Sequence, residues 1–102
     1  MAYYVTTLTS DADLDTPTNQ GYNYFFVDCT SNNVNITMQN ILGDGMNYEI
    51  TRIDNSSNTL TLTPKTGNTV NNLSSTTISP NITCNCVTSG MNWFCPKISY
   101  SL

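Results

Sequence analysis

Apolar and polar residues alternate in short runs along most of this chain. Val34, Ile36 and Met38 alternate with Asn35 and Thr37, and Leu60 and Leu62 alternate with Thr59, Thr61 and Thr63. A period of two puts successive side chains on opposite faces of an extended segment, so these runs read as half-buried strands. Strands are predicted near Tyr3–Leu8, Tyr22–Asp28, Val34–Met38, Met46–Ile53, Thr59–Thr63, Asn68–Val70, Thr76–Ser79, Ile82–Thr88, Asn92–Cys95 and Lys97–Tyr100. Turn-forming clusters separate them: Cys29–Asn33, Gly43-Asp44-Gly45, Asp54–Asn58, Thr66-Gly67-Asn68 and Ser89-Gly90. Asp11–Gln20 is polar and holds Pro17, which predicts a loop or arm. Helix signals are nearly absent, with two Ala, one Glu and no sustained i, i+3, i+4 apolar spacing.

The pattern also repeats. Asp28–Thr37 aligns without gaps on Asp54–Thr63, an offset of 26 residues, and each stretch follows an apolar residue, Val27 or Ile53. The shared unit is strand, Asp-led five-residue turn, strand. Two copies predict two similar hairpins stacked in one sheet or across a sandwich. The expected fold is therefore all-β: one small antiparallel β-sandwich or barrel-like domain of about eight to ten short strands built from stacked hairpins. Residues 1–20 would form an N-terminal strand and polar arm, and residues 21–102 the hairpin-repeat core.

Composition narrows what such a domain can do. Thr, Asn and Ser make up 42 of 102 residues, charged residues are 10%, and the net charge is −4. Low net charge, six Tyr and the period-two patterning argue against disorder. Three basic residues, Arg52, Lys65 and Lys97, cannot neutralise a phosphate backbone or an anionic membrane, so neither nucleic acid nor membrane is expected as a partner. The N-terminal stretch has no basic region and no apolar run fit for a signal peptide, which predicts synthesis in the cytosol. The sequons at Asn35, Asn55, Asn72 and Asn81 are then expected to stay bare.

Candidate chemistry is sparse. The chain has no histidine, which removes the commonest general base and His-ligated metals. Asp residues fall mostly in turns, where backbone hydrogen bonding accounts for them. Asp11, Asp13 and Asp15 begin like a calcium loop, but Thr16 stands where its Gly is needed and Tyr22 where its bidentate Glu is needed. No enzyme activity and no cofactor is expected.

Four cysteines, Cys29, Cys84, Cys86 and Cys95, leave three readings open: buried reduced thiols, disulfides, or a tetrathiolate zinc site of unusually tight Cys-x-Cys spacing. If a hairpin turning at Ser89-Gly90 set Cys86 opposite Trp93, Cys84 would face Cys95, leaving Cys29 for Cys86. A second candidate surface is aromatic. Trp93 and Tyr48, with Tyr3, Tyr4, Tyr22 and Tyr100, are the side chains that would stack on a sugar ring if this were a host-glycan or receptor-binding module. Packing within the sheets is the plainer expectation for all of them.

Few charges also leave sheet edges without their usual protection. Natural edges are guarded by Lys, Pro, bulges or inward charges, and only two Lys are present here. Either the sheet closes on itself or copies of the chain cover its edges, which predicts a homo-oligomer.

Three blocks carry a family resemblance. The run Tyr24–Met38 resembles the opening hairpin of a small β module found in tailed-phage fibre and head-appendage proteins and on large DNA virus surfaces. Gly43–Leu62 resembles that module's central G-x-x-Y-x-I-x-[KR]-I-D-x-S-x-N-x-[VL]-x-[IL] segment, and Cys86–Trp93 its closing V-x-S-x-G-x-N-W hairpin. The resemblance spans the chain from about Asp13 onward. It implies a trimeric or repeated structural building block of a virion surface, in contact with other capsid proteins, and carries no catalytic residue. The cysteines lie outside the pattern.

Overall fold

The computed structural model describes residues 4–100. Eleven strands and one helical turn follow in the order β1 (Val5–Leu8), β2 (Ala12–Asp13), α1 (Pro17–Gln20), β3 (Tyr24–Val27), β4 (Val34–Thr37), β5 (Asn47–Arg52), β6 (Leu60–Thr63), β7 (Thr69–Val70), β8 (Thr76–Ile78), β9 (Ile82–Ser89), β10 (Asn92–Phe94) and β11 (Lys97–Ser99). Each of the ten predicted segments holds a strand. Tyr3, the predicted start of the first, lies outside the described residues.

The strands form two sheets. The larger runs β1-β3-β5-β9-β10-β7, with β11 also on β9, and the smaller runs β2-β4-β6-β8. The chain alternates between them, so β1, β3 and β5 stack in parallel in one sheet while β2, β4 and β6 stack in parallel in the other. Three consecutive coils result, the arrangement of a short β-solenoid. Val34 lies beside Leu60 and Ile36 beside Leu62, so the 26-residue echo is one turn of the coil.

This corrects the expected antiparallel sandwich or barrel of stacked hairpins. Each Asp-led turn is a corner between sheets, so the strands flanking it never pair with one another. Parallel neighbours need a long crossover, and here the crossover is the strand in the opposite sheet. Antiparallel pairing begins only after the third coil, where β8 lies on β6 and β9 on β5, and where β10 and β11 pair with β9.

Inward-facing residues of both sheets make one core. Val27, Ile36, Met38, Ile50, Leu60, Leu62, Val70 and Trp93 have no exposed surface. The segment read as a polar arm contributes to it: Ala12 and Asp13 pair with β4, and Leu14 is buried. Thr16 caps the helical turn that follows, accepting the Asn19 N–H with Pro17 at its first position.

The abundant neutral polar residues tie one coil to the next. The Asn33 side-chain oxygen accepts the Thr59 N–H at 2.8 Å, Thr63 donates to Asn35 at 2.7 Å, and Asn58 donates to the carbonyls of Cys29 and Thr30. Stacked corners place like residues above one another, and uncharged hydrogen-bonding groups suit that placement because they do not repel.

Candidate functional site

Two parts of the molecule bear on function: a bracket at the coil corners and the outer face of the larger sheet. The bracket is built from the alternating segment Arg52-x-Asp54-x-Ser56-x-Asn58. Both repeat copies begin with the same local turn. Asp28 accepts the N–H and hydroxyl of Thr30, and Asp54 accepts those of Ser56. The second copy adds a buried cation. Arg52 donates Nε to Asp54 Oδ1 and Nη2 to Asp54 Oδ2, both at 3.0 Å, and reaches the carbonyls of Ile78, Ser56 and Asn58. Asp54 Oδ1 also accepts the Cys29 N–H, so coils two and three are joined there.

Burial alone would push the Asp54 carboxyl upward. The Arg52 guanidinium and the Ser56 and Cys29 donors outweigh it and hold the pKa well below the ordinary 3.8. The Arg52 side chain is fully enclosed, as is that of its partner. It is a structural clamp, with each of its three nitrogens engaged inside the fold.

The acidic segment is likewise spent on backbone and neighbours. Asp11 accepts the Asn35 N–H, Asp13 accepts Asp15 N–H and the Lys65 ammonium, and Asp15 accepts the Asn40 N–H and the Gln20 side chain. Among the described residues no group of three or more His, Cys, Asp or Glu is arranged to hold a metal. Asp44, in its Gly-Asp-Gly turn, accepts the Gly90 N–H and docks that turn on the β9–β10 hairpin.

All four cysteines are buried free thiols. The β9–β10 turn is Gly90-Met91, flanked by the pair Ser89 and Asn92, with Thr88 opposite Trp93 and Val87 opposite Phe94. Continuing that register sets Cys95 opposite Cys86, which corrects the expected facing of Cys84 and Cys95 by two residues. Asn71 takes the outer side of this strand end, donating to the Cys95 carbonyl and accepting its N–H, so the Cys95 backbone points away from β9. Cys86 and Cys95 are therefore a non-hydrogen-bonded cross-strand pair, the register in which side chains approach closest.

Cys84 is pushed up to about 12 by burial, and Cys86 is raised by its contact with Cys95 and by burial. Cys29 lies apart in the β3–β4 corner, also raised by burial. Thiols so placed are poor nucleophiles. Refolding in a mixture of oxidised and reduced glutathione is expected to yield one bridge, Cys86–Cys95, with Cys84 and Cys29 still alkylatable after denaturation. Peptide mapping of the alkylated protein checks this.

The aromatic candidates divide. Trp93 has 0% and Tyr48 7% of its surface exposed, so neither offers a face to a sugar ring. They pack on each other with ring centroids 4.7 Å apart, and Tyr48 meets Phe25 at 5.7 Å. Tyr22 and Tyr100 are half-buried, and Tyr3 lies outside the described residues. Tyr4 is exposed.

What reaches solvent is the outer face of the larger sheet. Val5, Tyr24, Phe26, Val87, Phe94 and Ile98 are all exposed there, interleaved with Thr7, Asn47, Asn85 and half-buried Glu49 and Thr51. The smaller sheet presents Asn35, Thr37, Thr61, Thr63 and Thr77 instead. Sequence reading missed this asymmetry. Its trace was the Tyr24-Phe25-Phe26-Val27 run, where alternate residues are apolar on both faces.

No protein-family model matches the chain, and neither a curated protein nor a solved structure matches it.

Proposed function

We propose that this chain is a non-enzymatic structural module that works by self-assembly, as a capsid decoration, minor capsid or fibre-type component of a virion surface. One observation carries the self-assembly reading: the larger sheet keeps an outer face that is half apolar and almost uncharged. Single exposed apolar residues are ordinary, whereas a face rich in them marks a contact surface. The Arg52, Asp54 and Asn58 side chains at the corners are occupied within the fold, and the Cys29, Cys84 and Cys86 thiols are raised above their ordinary pKa. The virion setting rests on the resemblance of the three sequence blocks to the phage fibre and head-appendage module, as does a trimer of identical chains.

A host-glycan or receptor-binding module is the alternative. With Trp93 and Tyr48 enclosed, its sugar-stacking surface would have to be Tyr4 and Tyr24. Light scattering over a wide concentration range tests the leading proposal. Growth of mass with concentration supports self-assembly, and an 11.2 kDa particle at every concentration overturns it.

A further inference from the structure

The ends of the coil stack are treated differently. At the C-terminal end the chain folds back and lays β9 antiparallel on β5 and β8 antiparallel on β6. At the other end β1 is, among the described residues, an edge paired on one side only, with β3. The Tyr4 and Leu8 carbonyls accept from Tyr24 and Asp28 N–H, which fixes the parity of the ladder. Residues 4, 6 and 8 turn their backbone groups to β3, so the N–H and C=O of Val5 and Thr7 point away from the sheet.

The other edges carry protection. β2 and β7 have two residues each, and β2 bears Asp13 in its ion pair with Lys65. β8 and β11 have three, with Pro80 close behind the first and Pro96-Lys97 opening the second. Short length, Pro and Lys are the usual guards against edge pairing. β1 has four residues and none of these guards; no charged or proline residue occurs from Tyr4 to Ser10.

We infer that β1 is a docking edge for a second copy of this chain, which adds its own β1 antiparallel across a two-fold axis. The inference rests on the self-assembly reading, though not on its trimeric form, and adds to it an edge contact beside the apolar face. With Thr6 facing Thr6 of the second copy, Val5 of each copy lies opposite Thr7 of the other. Both residues have free outward groups, so the two pairs exchange four backbone hydrogen bonds. This satisfies every unpaired group of the strand. An isologous contact of this kind closes at two copies and needs no second surface.

Its electrostatics are also self-consistent. A charged edge would meet its own charge across the axis, and β1 has none. The apolar residues beside the edge, Val5, Tyr24 and Phe26, would run unbroken onto the second copy's equivalents, and they line a groove with Glu49 and Thr51. The fold already uses the same device on itself, since β9 stops the parallel stack by antiparallel addition to β5.

The test is sedimentation equilibrium of wild type, Thr7→Pro, Thr7→Lys and Thr77→Lys, with amide exchange of the wild type at low and high concentration. Thr7→Pro removes an N–H that the fold does not use, and Thr7→Lys adds an edge charge without touching the backbone. A wild-type dimer, weakened at least tenfold by both Thr7 variants and unchanged by Thr77→Lys on the smaller sheet, is expected. Val5 and Thr7 amides should become protected as concentration rises. Association with those two amides exchanging freely, or a trimer indifferent to Thr7, overturns the edge while leaving self-assembly standing. A monomer at all concentrations overturns both. The exchange readout needs no variant, so misfolding of Thr7→Pro cannot blur the answer.

Discussion

Arg52→Met is expected to cost about 3–5 kcal/mol of folding stability, the scale seen when one partner of a buried ion pair is removed. The methionine fills part of the space, yet Asp54 keeps its charge in an enclosed site, and the carbonyls of Ile78, Ser56 and Asn58 lose the donor they share. Leaving buried acceptors unmet adds to the loss. Urea unfolding followed by tryptophan fluorescence checks it: the midpoint should fall sharply with little change in slope.

The same clamp gives a pH dependence whose sign is fixed. Asp54 has a lower pKa folded than unfolded, so the unfolded chain binds its proton more readily. The stabilisation is complete above the unfolded value near 3.8 and drains away as pH falls toward the folded one. Wild type should therefore weaken progressively below about pH 4. In Arg52→Met that acid dependence should shrink, because the guanidinium that depressed the carboxyl is gone. A variant as acid-sensitive as wild type would place the effect elsewhere.

Trp93→Ala is expected to be comparably damaging, at about 3–5 kcal/mol. Its side chain has no exposed surface, it rests against Tyr48, and its indole N–H donates to the Gln39 carbonyl at 3.1 Å. Truncation opens a void that Phe25 and Tyr48 cannot fill, and it strands that carbonyl. Small domains commonly hold only about 5–15 kcal/mol in total, so much of the population would unfold on mild heating. Thermal unfolding by circular dichroism measures the shift. Trp93→Phe should recover most of the loss by refilling the void, though without the hydrogen bond. Any loss of glycan or receptor binding in Trp93→Ala would then reflect unfolding, since the ring is enclosed.

The elements were legible because strand periodicity is local. The inward set Val34, Ile36, Leu60 and Leu62 faces the core as the alternation requires. Pairing was not legible, because the residues on either side of an Asp-led turn look the same whether the turn closes a hairpin or rounds a corner. What distinguishes the two is the 26-residue spacing of like residues. That spacing puts Leu60 beside Val34 only if the intervening strand lies in another sheet.

The Arg52 clamp left a trace in the R-x-D-x-S-x-N alternation, but a lone Arg in a strand gives no sign that its charge is enclosed. The cysteine register slipped by two because Ser89-Gly90 and Gly90-Met91 are both acceptable turns by composition. The positive φ of Gly90, 62°, belongs to the second of them, in which Ser89 is already the last paired residue. Leu14 stayed hidden as the one large apolar side chain in an otherwise polar stretch, too isolated to show a period.

The reversal of direction at β8 and β9 has a consequence for how such a chain can vary. A parallel stack is indefinitely extendable, since each coil presents the next with the surface it received. An antiparallel lid is not, because its far side no longer offers that register. Duplicating or excising a coil-length segment ahead of the third coil would therefore change the domain's height by one strand spacing, about 4.8 Å, while the terminal lid stayed as it is. Reach, in this architecture, is set by counting coils, and the stopping point is written only once.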